Sequence, residues 1–458
     1  MSFSSINPYT KNVIASHELD DSSRVDDILE MSHRAFLKWK KQPIESRCDK
    51  VLGLKKLLLD RKKDLALMIT QEMGKPLAES IKEIEKCATM VQYYADNAEE
   101  FLQDVFIKTH FEKSFVTYQP QGIIFGIMPW NFPLWQVLRF TVPTLLAGNT
   151  VIVKHAPNVW GCQKLIQDLF DDLDVAEGVF QSLYIDVPMV EEVVSDHRVR
   201  GGSFTGSVGA GRKFAEVCGR YLKKCVLELG GSDAYLVLED ASLEQAVQSC
   251  VTSRFINGGQ SCVAAKRWIV HKAVYDEFLE KSLKLIIDIQ QGNPEELTTR
   301  LGPLARFDLK EKVAAQVEKS IAQGSHVVLG GPDHCDPKDN FYPATLLAEV
   351  KPGQVAFEEE IFGPVASLIK ANSTKEAIEL ANRSAFGLGG AVFTADKDLG
   401  EDIARNQLDT GGVFVNDFYK SVPSLPFGGV KSSGIGRELS QFSLYEFTNL
   451  KTVVVNES

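Results

Sequence analysis

The sequence predicts an α/β fold of two Rossmann-type open-sheet domains with a small β arm for oligomerisation. Three observations predict it. From residue 122 short apolar runs alternate with helix-length stretches, the alternation restarts after Gly231, and a detached β-branched run ends the chain. Strand–helix alternation with short connections implies a parallel sheet with helices on both faces. Such a sheet binds ligands in the crevice at the carboxyl ends of its strands.

Taken in order, residues 24–101 read as helical, because Val51, Leu54, Leu57, Leu58, Leu65, Met68 and Ile69 recur at three- and four-residue spacing. Residues 106–119 lose that period and read as a strand pair. Strands are predicted at 123–127, 150–154, 180–185, 200–204 and 224–229, with helices at 134–147, 159–173, 188–196 and 208–221. The second unit opens with a strand at 235–238, a helix at 242–254, a strand at 267–270 and a helix at 274–288, and runs to about residue 420. The run LKTVVVN, 450–456, has no evident partner nearby, which predicts pairing with a neighbouring subunit. There is no internal repeat and no low-complexity linker.

The 458 residues, 44% hydrophobic and 24% charged, have an ordinary soluble-globular composition and suffice for two or three domains. A net charge of −11 with no basic stripe argues against a nucleic-acid partner. The eight cysteines form no CxxC pair, so neither a disulfide framework nor a metal site is expected. The opening MSFSSINPYTKN lacks the charged and apolar regions of a signal peptide, and no apolar run is long enough to span a membrane. A reducing cytoplasm is the expected location, where a free thiol persists.

The sharpest chemical feature is N-G-G-Q-S-C, 257–262. A cysteine on a tight glycine turn that leads into a helix would expose its sulfur near a helix N-terminus, which favours the thiolate. An isolated cysteine is otherwise a small buried hydrophobe. In E-L-G-G, 228–231, Glu228 closes a strand and would face the crevice as a general base if burial raises its pKa. In P-W-N-F-P, 129–133, two prolines stiffen the chain around Asn131, whose side-chain amide can donate to an oxyanion. The glycine-rich stretch 201–211 joins a strand to a helix, as a phosphate site requires, although it does not match GxGxxG. Lys154 ends a strand, where a lysine is ordinarily solvated.

Together with K-H-A-P (154–157), F-T-G-S (204–207), E-E-I-F-G-P (359–364), Asn416 and P-F-G-G-V-K-x-S-G-x-G-R-E (426–438), these motifs occur in one order. The chain therefore closely resembles the aldehyde dehydrogenase superfamily, end to end. The resemblance implies an enzyme that oxidises an aldehyde to the acid with NAD or NADP. Cys262 would be the nucleophile forming a thioester, Glu228 the base that hydrolyses it, and Asn131 with the Cys262 backbone N–H the oxyanion hole. Lys154 and Glu360 would contact the adenosine and nicotinamide riboses. Phe362 would pack beside the nicotinamide ribose, Gly206 and Ser207 would lie near the pyrophosphate, and Trp130 would be a further cofactor contact. The implied domains are 1–106 with 120–229 for the dinucleotide, 230–420 for catalysis, and an arm of 107–119 with 440–458 that makes a homodimer or homotetramer.

Two details refine the expectation. The family's NAD-preferring members usually carry Glu three residues after the lysine; Pro157 stands there, so nothing repels a 2′-phosphate and NADP is slightly favoured. Arg139 lies eight residues after Asn131, as in the succinate-semialdehyde branch, and Ser421 lies in a stretch resembling that branch's substrate loop. Both would hold the substrate's far carboxylate, although Arg139 could instead form an interdomain salt bridge. Ile256 departs from the branch, several members of which place a second arginine there. Glutarate semialdehyde, a neutral aliphatic aldehyde, or a catalytically silent structural role are the alternatives.

Overall fold

The computed structural model describes residues 2–456. Its first sheet runs in spatial order Gly434–Ile435, Lys224–Glu228, Val199–Thr205, Ile123–Met128, Thr150–His155 and Phe180–Leu183. The five strands from 123 to 228 are parallel, and Gly434–Ile435 returns antiparallel against Leu227 and Glu228. The chain steps outward from Ile123–Met128 on one side, then crosses to Val199–Thr205 on the other, so the strand order reverses there. That reversal opens a crevice at the strands' carboxyl ends.

The second sheet runs His326–Leu329, Thr345–Ala348, Val365–Ala371, Ala265–His271, Asp233–Val237, Gly390–Phe393 and Val413–Val415. All are parallel except the edge strand His326–Leu329. Its central strands are buried along their whole length, as the continuous apolar runs YLV and WIV require. The helix Pro133–Leu146 is buried on every face, which follows from its nearly uninterrupted apolar sequence, and Pro133 starts it where no N–H is needed.

A three-stranded antiparallel sheet projects from this body: Thr448–Val455, Lys113–Pro120 and Val105–Phe106. The terminal run therefore has a partner in its own subunit, contrary to the expectation from sequence: it pairs with Lys113–Pro120 from Thr448↔Pro120 to Val455↔Lys113. The pairing was hidden because more than three hundred residues separate the two strands. The outer edge of Thr448–Val455 carries no strand among the described residues, and Leu450, Val454 and Val455 are exposed on it. The helix Ser440–Glu446 just before it packs inward, with Leu444 buried and Tyr94 donating to the Ser440 carbonyl at 3.1 Å. No helix among the described residues is long and apolar enough to cross a membrane.

Candidate active site

The turn before Cys262 is set by three successive left-handed residues, Asn257, Gly258 and Gly259, with φ of 56°, 62° and 70°. Gly259 cannot be replaced easily, since a Cβ there would lie 2.3 Å from the Gly363 carbonyl oxygen. Asn257 ties the turn to the PWNFP loop: its side-chain amide donates to the Asn131 carbonyl at 2.8 Å and the Gln260 carbonyl at 3.1 Å. Asn131 Nδ2 donates to the same Gln260 carbonyl at 3.1 Å. Two loops distant in sequence are thus locked together, with the Asn131 amide bonded two residues from the nucleophile. Asn257 was not singled out in the sequence, though an Asn before two glycines is a signal for left-handed backbone.

The expectation that Cys262 leads into a helix is corrected. The helix Leu243–Phe255 precedes the turn, and the strand Ala265–His271 follows it. The β-branched and aromatic run ending in WIV outweighs the helix preference of Ala264 and Ala265. No helix dipole therefore acidifies the thiol. Burial pushes it up to about 12, against the opposing charges of Lys266 and Arg139. Lys266, another residue missed in the sequence, donates through Nζ to the Ser261 carbonyl at 2.9 Å and the Cys262 carbonyl at 2.7 Å.

Glu228 closes the strand Lys224–Glu228 at the crevice and is 2% exposed. Neither of its carboxylate oxygens has a hydrogen-bond partner among the described residues. Burial, then the neighbouring Glu438 carboxylate, hold its pKa well above the usual range, while Arg139 and Arg437 oppose them. A carboxylate whose pKa is raised by its surroundings is a stronger base toward water than a solvated one.

The groove beyond these residues suits a dinucleotide. Lys154 is 6% exposed rather than solvated, and its pKa is lowered by burial while the Asp186 charge acts the other way. Pro157 starts a single 3-10 turn after it and offers no carboxylate. Gly206 donates its N–H to the Glu228 carbonyl at 3.0 Å, and Ser207 caps the helix Val208–Arg220 by accepting from the Ala210 N–H at 3.4 Å. A Cβ at Gly209, in that helix's first turn, would meet nothing within 4 Å, leaving room for a phosphate at the N-terminus. On the other side Trp130 meets Phe362 edge-to-face at 5.9 Å. Glu360 accepts from the Gly231 N–H at 3.1 Å and pairs with Lys266 at 3.3 Å. A Cβ at Gly230, the first glycine of the motif, would lie 2.4 Å from the Glu360 carboxylate and would displace it.

Cys262 opens into a cavity of about 670 Å³, walled by Phe132, Trp135, Phe418 and Phe427 and reached by Arg139, Ser421 and Ile256. Arg139 is 1% exposed, its guanidinium 4.8 Å above the Phe427 ring. It is ion-paired through Nε with Glu438, just after the strand Gly434–Ile435 of the first sheet, so a salt bridge of the kind weighed against a substrate role is present. Its Nη2 is nevertheless a buried donor without a partner among the described residues. Ser421 accepts from Lys86 at 2.5 Å, and its loop is fixed by the Tyr419 N–H donating to the Tyr235 hydroxyl at 2.8 Å. Asn416, by contrast, is structural: its side chain accepts from the Thr394 N–H at 3.0 Å and donates to the Thr394 carbonyl at 2.9 Å.

Residues 1–453 match the aldehyde dehydrogenase family. The chain is 42% identical to the NAD(P)+ succinate semialdehyde dehydrogenase Sad of Escherichia coli K12, covering 98% of this chain and 97% of that one. It is 40% identical to an NADP+ succinate-semialdehyde dehydrogenase of Deinococcus radiodurans, over 98% of this chain and 94% of that one. Among solved structures, the succinic semialdehyde dehydrogenase of Streptococcus pyogenes in complex with NADP+ superposes with a TM-score of 0.97 at 34% identity, covering 99% of this chain and 100% of that one.

Proposed function

Since the chain belongs to the aldehyde dehydrogenase family and is an NAD(P)-dependent aldehyde dehydrogenase, we propose that it oxidises succinate semialdehyde to succinate, with NADP+ as the preferred oxidant. The observation that carries the substrate reading is the unpartnered Nη2 of Arg139 in the wall of the cavity that holds Cys262. A buried guanidinium donor without a partner is costly unless a ligand satisfies it, and a carboxylate does so best. The names of the E. coli, D. radiodurans and S. pyogenes relatives support the same substrate. Arg139 and Ser421 are the proposed contacts to its far carboxylate.

Lys154, Gly206, Ser207, Trp130, Glu360 and Phe362 would hold the dinucleotide, and Pro157 leaves the adenosine ribose free of a repelling carboxylate. Bound there, the oxidised nicotinamide supplies the acceptor for the aldehyde hydride. The chain does the rest. The Cys262 sulfur, once deprotonated, adds to the aldehyde carbon. Asn131 Nδ2 and the Cys262 backbone N–H stabilise the oxyanion. After the carbon is oxidised to the thioester, Glu228 takes the proton of an attacking water, and the acid leaves with the thiol restored. The arm sheet, with its exposed outer edge, is proposed to join subunits, and the cytoplasm is the proposed location.

The test is kcat/KM for succinate semialdehyde, glutarate semialdehyde and butanal with each dinucleotide. Preference for the first, with NADP+, supports the proposal. Equal values for the three aldehydes would overturn the substrate reading and leave the family assignment standing.

A further inference from the structure

Lys86 is a half-buried cation of the cavity wall with no role in the chemistry described above. Lys86 belongs to the long helix Leu77–Phe101, whose polar stripe Glu79, Lys82, Glu83 and Lys86 faces the cavity, with Lys75 just before the helix. Lys82, Asp288 and Arg300 also line the cavity but are exposed to solvent, and Glu79 accepts from the Asn257 N–H at 2.7 Å. The remaining charges near Lys86 are committed. Lys75 is paired with Glu83, and the second oxygen of Glu83 accepts from the N–H groups of Leu134 and Trp135, each at 3.0 Å. Lys420 pairs with Asp417 at 2.7 Å, and Arg139 holds Glu438. Lys86 has no carboxylate at ion-pair distance among the described residues. Its ammonium lies 4.0 Å from the Trp135 ring centre and donates to the neutral Ser421 hydroxyl.

A desolvated ammonium left with an aromatic face and one hydroxyl has two donors to spare and a charge without a counter-ion. Ser421 ties it to the loop that covers the cavity, and Arg139 is close enough for their charges to repel. Two cations held near each other in a partly buried cavity are compensated when an anion lies between them. We propose that Lys86 is a specificity-determining residue: with Arg139 it clamps the far carboxylate of the aldehyde substrate, its ammonium supplying the full positive charge that Glu438 partly cancels on the guanidinium. The inference rests on the semialdehyde reading above and adds the residue that does most of the charge recognition.

The ammonium is also poised to titrate. Burial, then the Arg139 charge, bring its pKa down to about 8, with Lys75 acting in the same direction and Glu83 and Cys87 against it. A carboxylate bound beside it would raise that value again, so substrate and proton bind together.

The experiment compares wild type, Lys86→Met and Lys86→Arg on succinate semialdehyde and butanal, by kcat/KM from pH 6.5 to 9.5. Lys86→Met is expected to lose about 10–100-fold on succinate semialdehyde, at least tenfold more than on butanal, mainly through KM. Lys86→Arg should recover most of that loss and abolish the rise in wild-type KM above about pH 8. Succinate titrated into the free enzyme should change Trp135 fluorescence in wild type at pH 7, and much less at pH 9.5 or in Lys86→Met. A wild type with no preference for the semialdehyde overturns the substrate reading and this inference with it. A preference that persists in Lys86→Met, or a wild-type succinate titration identical at both pH values, overturns the inference alone.

Discussion

Arg139 and Glu438 form a buried ion pair that joins the helix Pro133–Leu146 to the returning C-terminal loop, within reach of Glu228. The pair neutralises Glu438, and the substrate role proposed for Arg139 would be a second, separable duty. Arg139→Leu leaves a carboxylate buried without its partner, and breaking such a pair costs about 3–5 kcal/mol of stability. Arg139→Leu/Glu438→Gln should recover most of that stability in urea melts while kcat/KM for succinate semialdehyde stays down roughly 10–150-fold relative to butanal. Recovery of both together would mean that Arg139 serves the fold alone.

Cys262 should be slow to alkylate in the free enzyme. With its thiol pushed up to about 12, the thiolate fraction climbs about tenfold per pH unit across the neutral range, and the iodoacetamide rate should show no plateau below about pH 10. Peptide mass spectrometry must resolve the site, because Cys225 and Cys335 are also partly exposed thiols. A Cys262 plateau near pH 7 would contradict a protonated resting thiol. Cys262→Ala should have no dehydrogenase activity at any pH.

Glu228→Gln should transfer one hydride and then stall. Rapid mixing should give a burst of reduced dinucleotide near one per active site, followed by a slow phase. Loss of the burst itself would move Glu228 from thioester hydrolysis to thiol activation.

Asn131→Ala should slow the hydride-transfer step by about 10²–10³, the usual cost of one oxyanion donor. A change below threefold, measured where that step limits, would place the oxyanion elsewhere.

Pro157→Glu should shift the ratio of kcat/KM toward NAD+, because a carboxylate beside Lys154 repels a 2′-phosphate and offers the ribose hydroxyls an acceptor. An unchanged ratio would assign selectivity to other groups, of which Asp186, already acting on Lys154, is the first to examine.

The parallel sheets were legible because strand–helix alternation is a local property, written into runs such as IIFGI and RWIV. The ordered motifs likewise singled out Cys262, Glu228 and Asn131 as candidates. What the sequence hid is long-range. Nothing near Lys154 announces that it is buried, and nothing near Arg139 announces Glu438. The partner of Thr448–Val455 is a strand on the far side of both sheets in sequence. The stripe of Lys82 and Lys86 reads as an ordinary solvated helix face, since four-residue spacing says which residues share a face but not what the face meets. The acidified thiol failed for a local reason, the strand preference that follows Cys262.

The short strand Gly434–Ile435 completes the first sheet against Glu228, and three residues later Glu438 reaches Arg139. Glu228 is therefore walled in by a segment remote from it in sequence. With residues 434–438 undocked the parallel strands could still pair, but Glu228 would lie open to water and Arg139 would have no counter-ion. On refolding, activity should therefore return after secondary structure, in step with the closing of this one short strand.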